Sequence, residues 1–275
     1  MSPVRGVLRY CERLFDGAAR ACLYTRAALT PLADIRKGII AAWNDFIPDD
    51  AEIAAGLTWW ERDAADRYVH PRDRVLVIGC GSGRDLVAFV ERGCTVTGID
   101  PAPRALARAA AYLQARGRTA TLETAFFEDW RRDEVFDVVW FSWFTYGYVP
   151  DSRRRIAMLA RAAQHVSSDG VVVLSYPTNP PRSRAAALAR LTPRLAQTGW
   201  RLEEGDVIQR VQGTGLLSYE HRFTREEVEK EVRAAGFYVE YLTEPIAVLK
   251  AAAAHDRSHA RTTRNTRATS VASRP

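Results

Sequence analysis

The sequence predicts an α/β fold: a mostly parallel sheet with helices on both faces. Three observations predict it. Short, continuously apolar runs recur along the chain, as strands buried on both faces require. Helical stretches of roughly 10–15 residues alternate with them, the pattern of a parallel sheet. The first apolar run ends in "GCGSG" (79–83), which opens the next helix. With 275 residues, 47% of them hydrophobic, the chain can bury one sizeable core.

The elements follow in order. In residues 1–70, Val4, Leu8, Cys11, Phe15, Ala18 and Cys22 fall at helical spacing, with Arg5, Arg9, Arg13 and Arg20 off that stripe. The stripe predicts a helix packed over the carboxyl edge of the sheet. A helix lying on an anionic membrane surface is the alternative. Trp43 and Phe46 continue an aromatic theme, and "TWWERDAADRYV" (58–69) reads as a helix in which Trp59 and Trp60 pack. The first strand is "RVLVI" (74–78), followed by a helix from Arg84 to Arg92. "TVTGI" (95–99) is the second strand. Pro103 to Arg116 is a helix with Leu106, Ala110 and Leu113 on one face, stopped by Gly117. "TLET" (121–124) and "FDVVWF" (136–141) are the third and fourth strands. Asp151 caps a helix that turns Ile156, Leu159, Ala163 and Val166 inward. "GVVVLSY" (170–176) is the fifth strand. Residues 177–215 read as an insertion. Its Arg182, Arg184 and Arg190 are either solvated or paired with an acidic ligand.

Composition excludes several classes. Of the net charge of +6, residues 251–275 carry +4, from five arginines and Asp256, which leaves +2 on the body. That is a weak footprint for nucleic acid. The tail itself lacks aromatics and large aliphatics, so it is expected to be disordered. No run of about 18 apolar residues is present, so no membrane span is expected. Arginines interrupt any apolar core of a signal peptide. Cys11, Cys22, Cys80 and Cys94 show no CxxC spacing and read as reduced thiols of a cytoplasmic protein. "HDRSH" (255–259) lacks a third ligand, so no metal is expected.

In such a sheet ligands bind at the carboxyl ends of the strands, where strand order reverses. The glycines let the chain turn tightly and let a ligand approach the backbone. N–H groups at the helix start favour a negative group. Asp100 ends the second strand 21 residues after Gly79, where a carboxylate accepts ribose hydroxyls. A nucleoside with a negative or zwitterionic group is therefore expected.

The glycines of "VLVIGCGSGRD" differ from the dinucleotide spacing GxGxxG, since the third comes one position early. Together with "VTGIDPAP", "FDVVWFSW", "SSDGVVVLSY" and "HRFTREEVEKEVRAAGFYVEYL", this stretch resembles the class I methyltransferases that use S-adenosylmethionine, over residues 72–250. The resemblance implies a Rossmann-like, seven-stranded, mostly parallel sheet ending in an antiparallel strand pair. With the stripe before it and the composition after it, the chain divides into an N-terminal helical cap or lid (1–70), a methyltransferase domain (71–250) and the disordered tail (251–275). The resemblance implies methyl transfer to a small molecule by in-line displacement. A lipid head group or protein acceptor at a membrane, and a domain that binds the cofactor without catalysis, are the alternatives.

The resemblance also distributes roles. Gly79, Cys80 and Gly81 lie along the cofactor, and Asp85 lies near its amino end. Asp100 takes the ribose, with Pro101 beside the adenine. Phe126 and Phe127 stand where relatives have an acid and a backbone donor; either they pack on adenine or Glu128 takes the acid's part. Phe141 and Ser142 approach the methyl group. Val77 replaces an acid found in many relatives, which shifts amine recognition toward backbone carbonyls and Asp85. No catalytic residue transfers from the family, so further candidates are local: the aromatic loop after the fourth strand and nearby strand ends offer Trp143, Tyr148, Tyr176 and Tyr219 for the substrate wall. Tyr146 is a candidate to orient the nucleophile. Alternation in "LLSYEHRF" (216–223) turns His221 inward, either as a satisfied structural histidine or as a base facing substrate.

Overall fold

Alternate residues of the same strands feed two separate cores. In β1 (Arg74–Ile78), Leu76 and Ile78 point to one face, and Val75 and Val77 to the other. β4 (Phe136–Phe141) divides likewise: Val139 and Phe141 join the first cluster, Val138 and Trp140 the second. This computed structural model describes residues 3–46, 48–181, 189 and 197–252. β1 pairs in parallel with β4 and with β2 (Thr95–Asp100), and β2 with β3 (Thr121–Thr124). β5 (Val166–Ser175) lies parallel to β4. A separate antiparallel pair, β6 (Asp206–Arg210) and β7 (Leu217–His221), stands outside the main sheet. β8 (Phe237–Thr243) and β9 (Ile246–Ala251) complete that sheet as its antiparallel end. The seven strands run β3-β2-β1-β4-β5-β9-β8, so strand order reverses between β1 and β4.

Helices cover both faces. Four helices precede β1: α1 (Pro3–Ala28), α2 (Leu32–Asp45), α3 (Asp50–Ala54) and α4 (Trp59–Tyr68). α4, α5 (Arg84–Glu91) and α6 (Pro103–Ala115) send Ala64, Phe89 and Leu106 into the second core. α7 (Ser152–His165) and α8 (Arg225–Ala234) send Leu159, Ala162 and Val228 into the first. α8 starts at Thr224, whose hydroxyl accepts from Glu227 N, and α4 at a Thr58–Glu61 capping box. A third cluster joins Tyr24, Ala27, Ile35 and Ile39 of the N-terminal helices to Ile208, Leu217 and Tyr219 of the β6–β7 pair. Helix α2 crosses β7 at Gly38, where a Cβ would come 1.9 Å from the Leu217 carbonyl oxygen.

Several expectations are corrected. The stripe of α1 does not lie over the carboxyl edge: Leu8 is 58% and Phe15 76% exposed, and only the last turns of the helix pack. Trp59 does not pack but is 73% exposed. The inward face of α7 carries Arg155, Met158, Leu159, Ala162 and His165, with Ile156 and Ala163 only half-buried. Arg155, fully buried, is the centre of that face. β5 begins at Val166, four residues early, and Ala251 belongs to β9 rather than to the tail. Arg182, Arg184, Arg190, the "HDRSH" pair and the tail beyond 252 lie outside the described residues.

Candidate active site

The strand reversal opens onto the glycine loop. Gly79, Gly81 and Gly83 have φ of +72°, +51° and +96°, a region costly for side-chain-bearing residues. A Cβ on Gly79 would lie 2.0 Å from Thr145 Oγ1, so the loop after β4 presses directly on it. A Cβ on Gly81 would meet nothing within 4 Å, which marks the open side. Asp100 Oδ2 accepts from Gly81 N and Oδ1 from Ala102 N, each at 2.8 Å. Burial raises the Asp100 carboxyl to about 6, against which these two N–H groups act. Each oxygen retains a lone pair for a further donor.

A cavity of about 470 Å³ stands over this loop. Of the predicted cofactor residues, Gly79, Cys80, Gly81, Asp100, Pro101, Phe126, Phe127, Glu128 and Ser142 line it, as do the predicted wall residues Trp143 and Tyr148. Its roof is α2, Phe46 and the chain from Pro48 to Thr58, through Arg36, Ile39, Trp43, Phe46, Ile53 and Leu57. Arg36 clasps the roof to the floor: it lies 4.5 Å over the Phe126 ring and donates to Glu128 and Asp129, both at 3.0 Å. A cap or lid is expected from residues 1–70, but on the stripe of α1 rather than on α2. Trp43 and Phe46 were its only signal, and nothing about Arg36 in the sequence marks it.

The loop after β4 is strained. Trp143 and Phe144 have φ of +33° and +62°, each costing about 1–3 kcal/mol. Its surroundings hold it there. Phe144 N donates to Ser175 Oγ at 2.9 Å, Thr145 Oγ1 donates to the Ser142 carbonyl at 2.5 Å, and Phe144 stacks on Trp60 at 5.6 Å. Arg84 lies 4.7 Å over the Trp143 ring while donating to both oxygens of buried Glu61 at 2.6 Å.

Six predicted site residues do not line the cavity. Asp85 is buried, with its carboxylate shared between Arg84 at 2.6 Å and the Trp140 indole at 3.1 Å. Burial, then the Glu61 charge, raise it to about 6. Phe141 is core, edge-on to Phe127. Tyr176 is buried against Phe223. The other three belong to one buried network. His221 Nδ1 lies 2.6 Å from Asp206 Oδ1, and Nε2 lies 3.1 Å from Glu227 Oε1. The Tyr219 hydroxyl donates to Asp206, and the Tyr146 hydroxyl to Glu231 at 2.5 Å. Arg155, fully buried, donates to Glu231 and Glu203 at 2.8 Å. Glu203, His221 and Glu227 bring ligand atoms within 4.8 Å of one another, but the Arg155 guanidinium, 3.7 Å from Glu227, already supplies the cation there. His221, pinned on both nitrogens, reaches no open space.

A family model described as a methyltransferase domain matches residues 41–242, beginning inside the N-terminal stretch. No curated protein matches the sequence. Among solved structures, a sugar N-methyltransferase from a Streptoalloteichus species shares 20% identity, with a TM-score of 0.50 over 74% of this chain and 87% of that one. An amino pentose methyltransferase from Micromonospora echinaspora, solved with S-adenosylmethionine bound, shares 21%, with a TM-score of 0.51 over 74% and 98%. A methyltransferase from Methanosarcina mazei shares 21%, with a TM-score of 0.53 over 70% and 96%.

Proposed function

The chain belongs to the methyltransferase-domain family, the class I enzymes that use S-adenosylmethionine, and on that premise we propose that it methylates a small molecule held under the α2 roof. The observation that carries this reading is the roof itself. A cavity of about 470 Å³, closed over by Arg36, Ile39 and Trp43, suits a cofactor with a small acceptor and not a folded protein surface. The substrates named for the Streptoalloteichus and Micromonospora enzymes are small molecules too, which supports it. No helix among the described residues is long and apolar enough to cross a membrane. A small acceptor calls for neither nucleic acid nor membrane as partner, and the balanced charge of the body and the reduced-thiol spacing of the cysteines support a cytoplasmic enzyme.

The residues present fit the cofactor. Asp100 offers free lone pairs at the end of β2, where ribose hydroxyls donate, and the open side of Gly81 leaves space beside it. Phe126, held flat under Arg36, offers a face for the adenine, with Pro101 near it. When bound, S-adenosylmethionine supplies a methyl group already activated on a sulfonium. The protein's part is then to align the acceptor and keep water out. Alignment alone accounts for about 7–11 kcal/mol of barrier lowering in well-oriented systems. Trp143, Tyr148 and the roof do both. Neither His221 nor Tyr146 touches the cavity, so neither is assigned to the chemistry.

Incubation with methyl-labelled cofactor and a metabolite extract tests the reading. Label is expected in a low-mass product. Label in the protein or vesicle fraction would overturn the small acceptor, and cofactor binding without any transfer would mean a binding domain.

A further inference from the structure

Around the cavity charge occurs only in pairs. Among the described lining residues, Arg36 is bound to Glu128 and Asp129, and Arg84 to Glu61 and Asp85. Asp100 accepts two backbone N–H groups, and exposed Glu52 caps its own helix through Asp49 N. Most of the lining hydroxyls are engaged as well: Thr145 with the Ser142 carbonyl, Ser142 with Asp85, Thr58 with Glu61, Tyr148 with Glu220. What faces the glycine loop is flat or branched and apolar, with Ile39, Trp43, Phe46, Leu57, Trp143 and Val149 on the wall. A sugar or an ion entering here would exchange water for few partners, a cost borne by each group left unpaired. A planar ring loses nothing of the kind and gains face-to-ring contact.

The second observation concerns the proton. The described lining residues include no imidazole and no amine. The lining carboxylates are held by the partners just named, and burial keeps the Cys80 thiol protonated. An acceptor that must be deprotonated to attack finds no base in reach.

We infer that the acceptor is an uncharged, planar aromatic molecule methylated on a weakly basic ring nitrogen, an inference that rests on the small-molecule reading above. The nitrogen lone pair forms the bond to the methyl carbon. The carbon–sulfur bond breaks with its electron pair left on sulfur, and the positive charge passes from sulfur to nitrogen. No proton moves. The product is a cation in an apolar site, which favours its release.

Calorimetry with the full chain loaded with S-adenosylhomocysteine tests this, titrating isoquinoline and, separately, glucosamine, followed by turnover of each with S-adenosylmethionine. Isoquinoline is expected to bind and to be methylated, and glucosamine to give no heat at the same concentrations. Trp43→Leu and Trp143→Leu are expected to weaken isoquinoline roughly tenfold or more, as loss of a central aromatic anchor does. A preference for glucosamine, silence from isoquinoline, or indifference of isoquinoline to both folded variants would overturn the inference. If either variant fails to fold, the comparison of the two probes on the native chain decides alone. Loss of this inference with labelled small products still formed leaves the parent reading standing; label moving into protein or vesicles removes both.

Discussion

Asp100 ties the end of β2 to the glycine loop, and its ionisation should be visible in binding. Burial raises its carboxyl to about 6 in the free protein. Bound ribose hydroxyls favour the carboxylate and so lower that value. Affinity is therefore full above about 6 and falls as pH drops through it. Titration of S-adenosylhomocysteine on both sides of that pH should show the fall. Asp85 is also raised to about 6, so Asp100→Asn is the control: it should flatten its share of the profile and weaken binding by about 1.5–3 kcal/mol. His221 behaves differently. Burial alone would lower its pKa, but the bonds to Asp206 and Glu227 outweigh that and raise it above its ordinary value. A raised folded-state pKa contributes stability that is complete below the unfolded value and is lost as pH rises through the folded one. His221→Gln should thus melt earlier, by about 1–3 kcal/mol of stability, with the gap to wild type narrowing at high pH. Its folded fraction should turn over normally; a large loss of turnover at unchanged cofactor affinity would return His221 to the chemistry. Alternation in 217–223 already turns His221 inward in the sequence. Its partners were not legible, because Asp206 lies on another strand and Glu227 on the following helix.

At the scale of elements, the roof depends on a contact between backbones. α2 can rest on β7 only because residue 38 has no Cβ. Gly38→Ala should lift α2 from the strand and cost about 1–3 kcal/mol, the range for overpacking, read as a lower melting temperature together with weaker acceptor binding. Better acceptor binding in a destabilised variant would mean that α2 is not the roof. The parallel strands, the glycine loop and Asp100 were legible because their patterns are local: an apolar run, a turn, a residue at a fixed distance. The inward face of α7 was not, since Arg155 is buried by acids from 203 and 231 that no window around 155 contains. Which helix of the expected N-terminal cap covers the site escaped for the same reason. α2 is amphipathic like any surface helix, and only the fold reveals that β7 and the glycine loop are what it covers.

For the whole molecule, the catalytic body and the N-terminal extension are unequal partners. Residues 7–20 of α1, apart from half-buried Cys11, are exposed, while Tyr24, Ala27 and Ala28 are buried. Removal of residues 1–20 should therefore leave both the melting temperature and the affinity for S-adenosylhomocysteine unchanged within error; a clear drop in either would mean that the first turns of α1 hold the roof. The order in which the molecule is assembled follows from where its parts lie along the chain. β1, β2, β3 and β4 pair with near neighbours in sequence, so the floor of the site can form while later residues are still being made. The roof emerges first but cannot dock until its support exists: the Tyr24 hydroxyl waits for the carbonyl of Asp206, a separation of 182 residues. Contacts so distant are the slow ones to close. During synthesis the N-terminal helices thus precede their seat along the chain. On refolding of the purified chain, secondary structure should return first and the capacity to retain a ligand last.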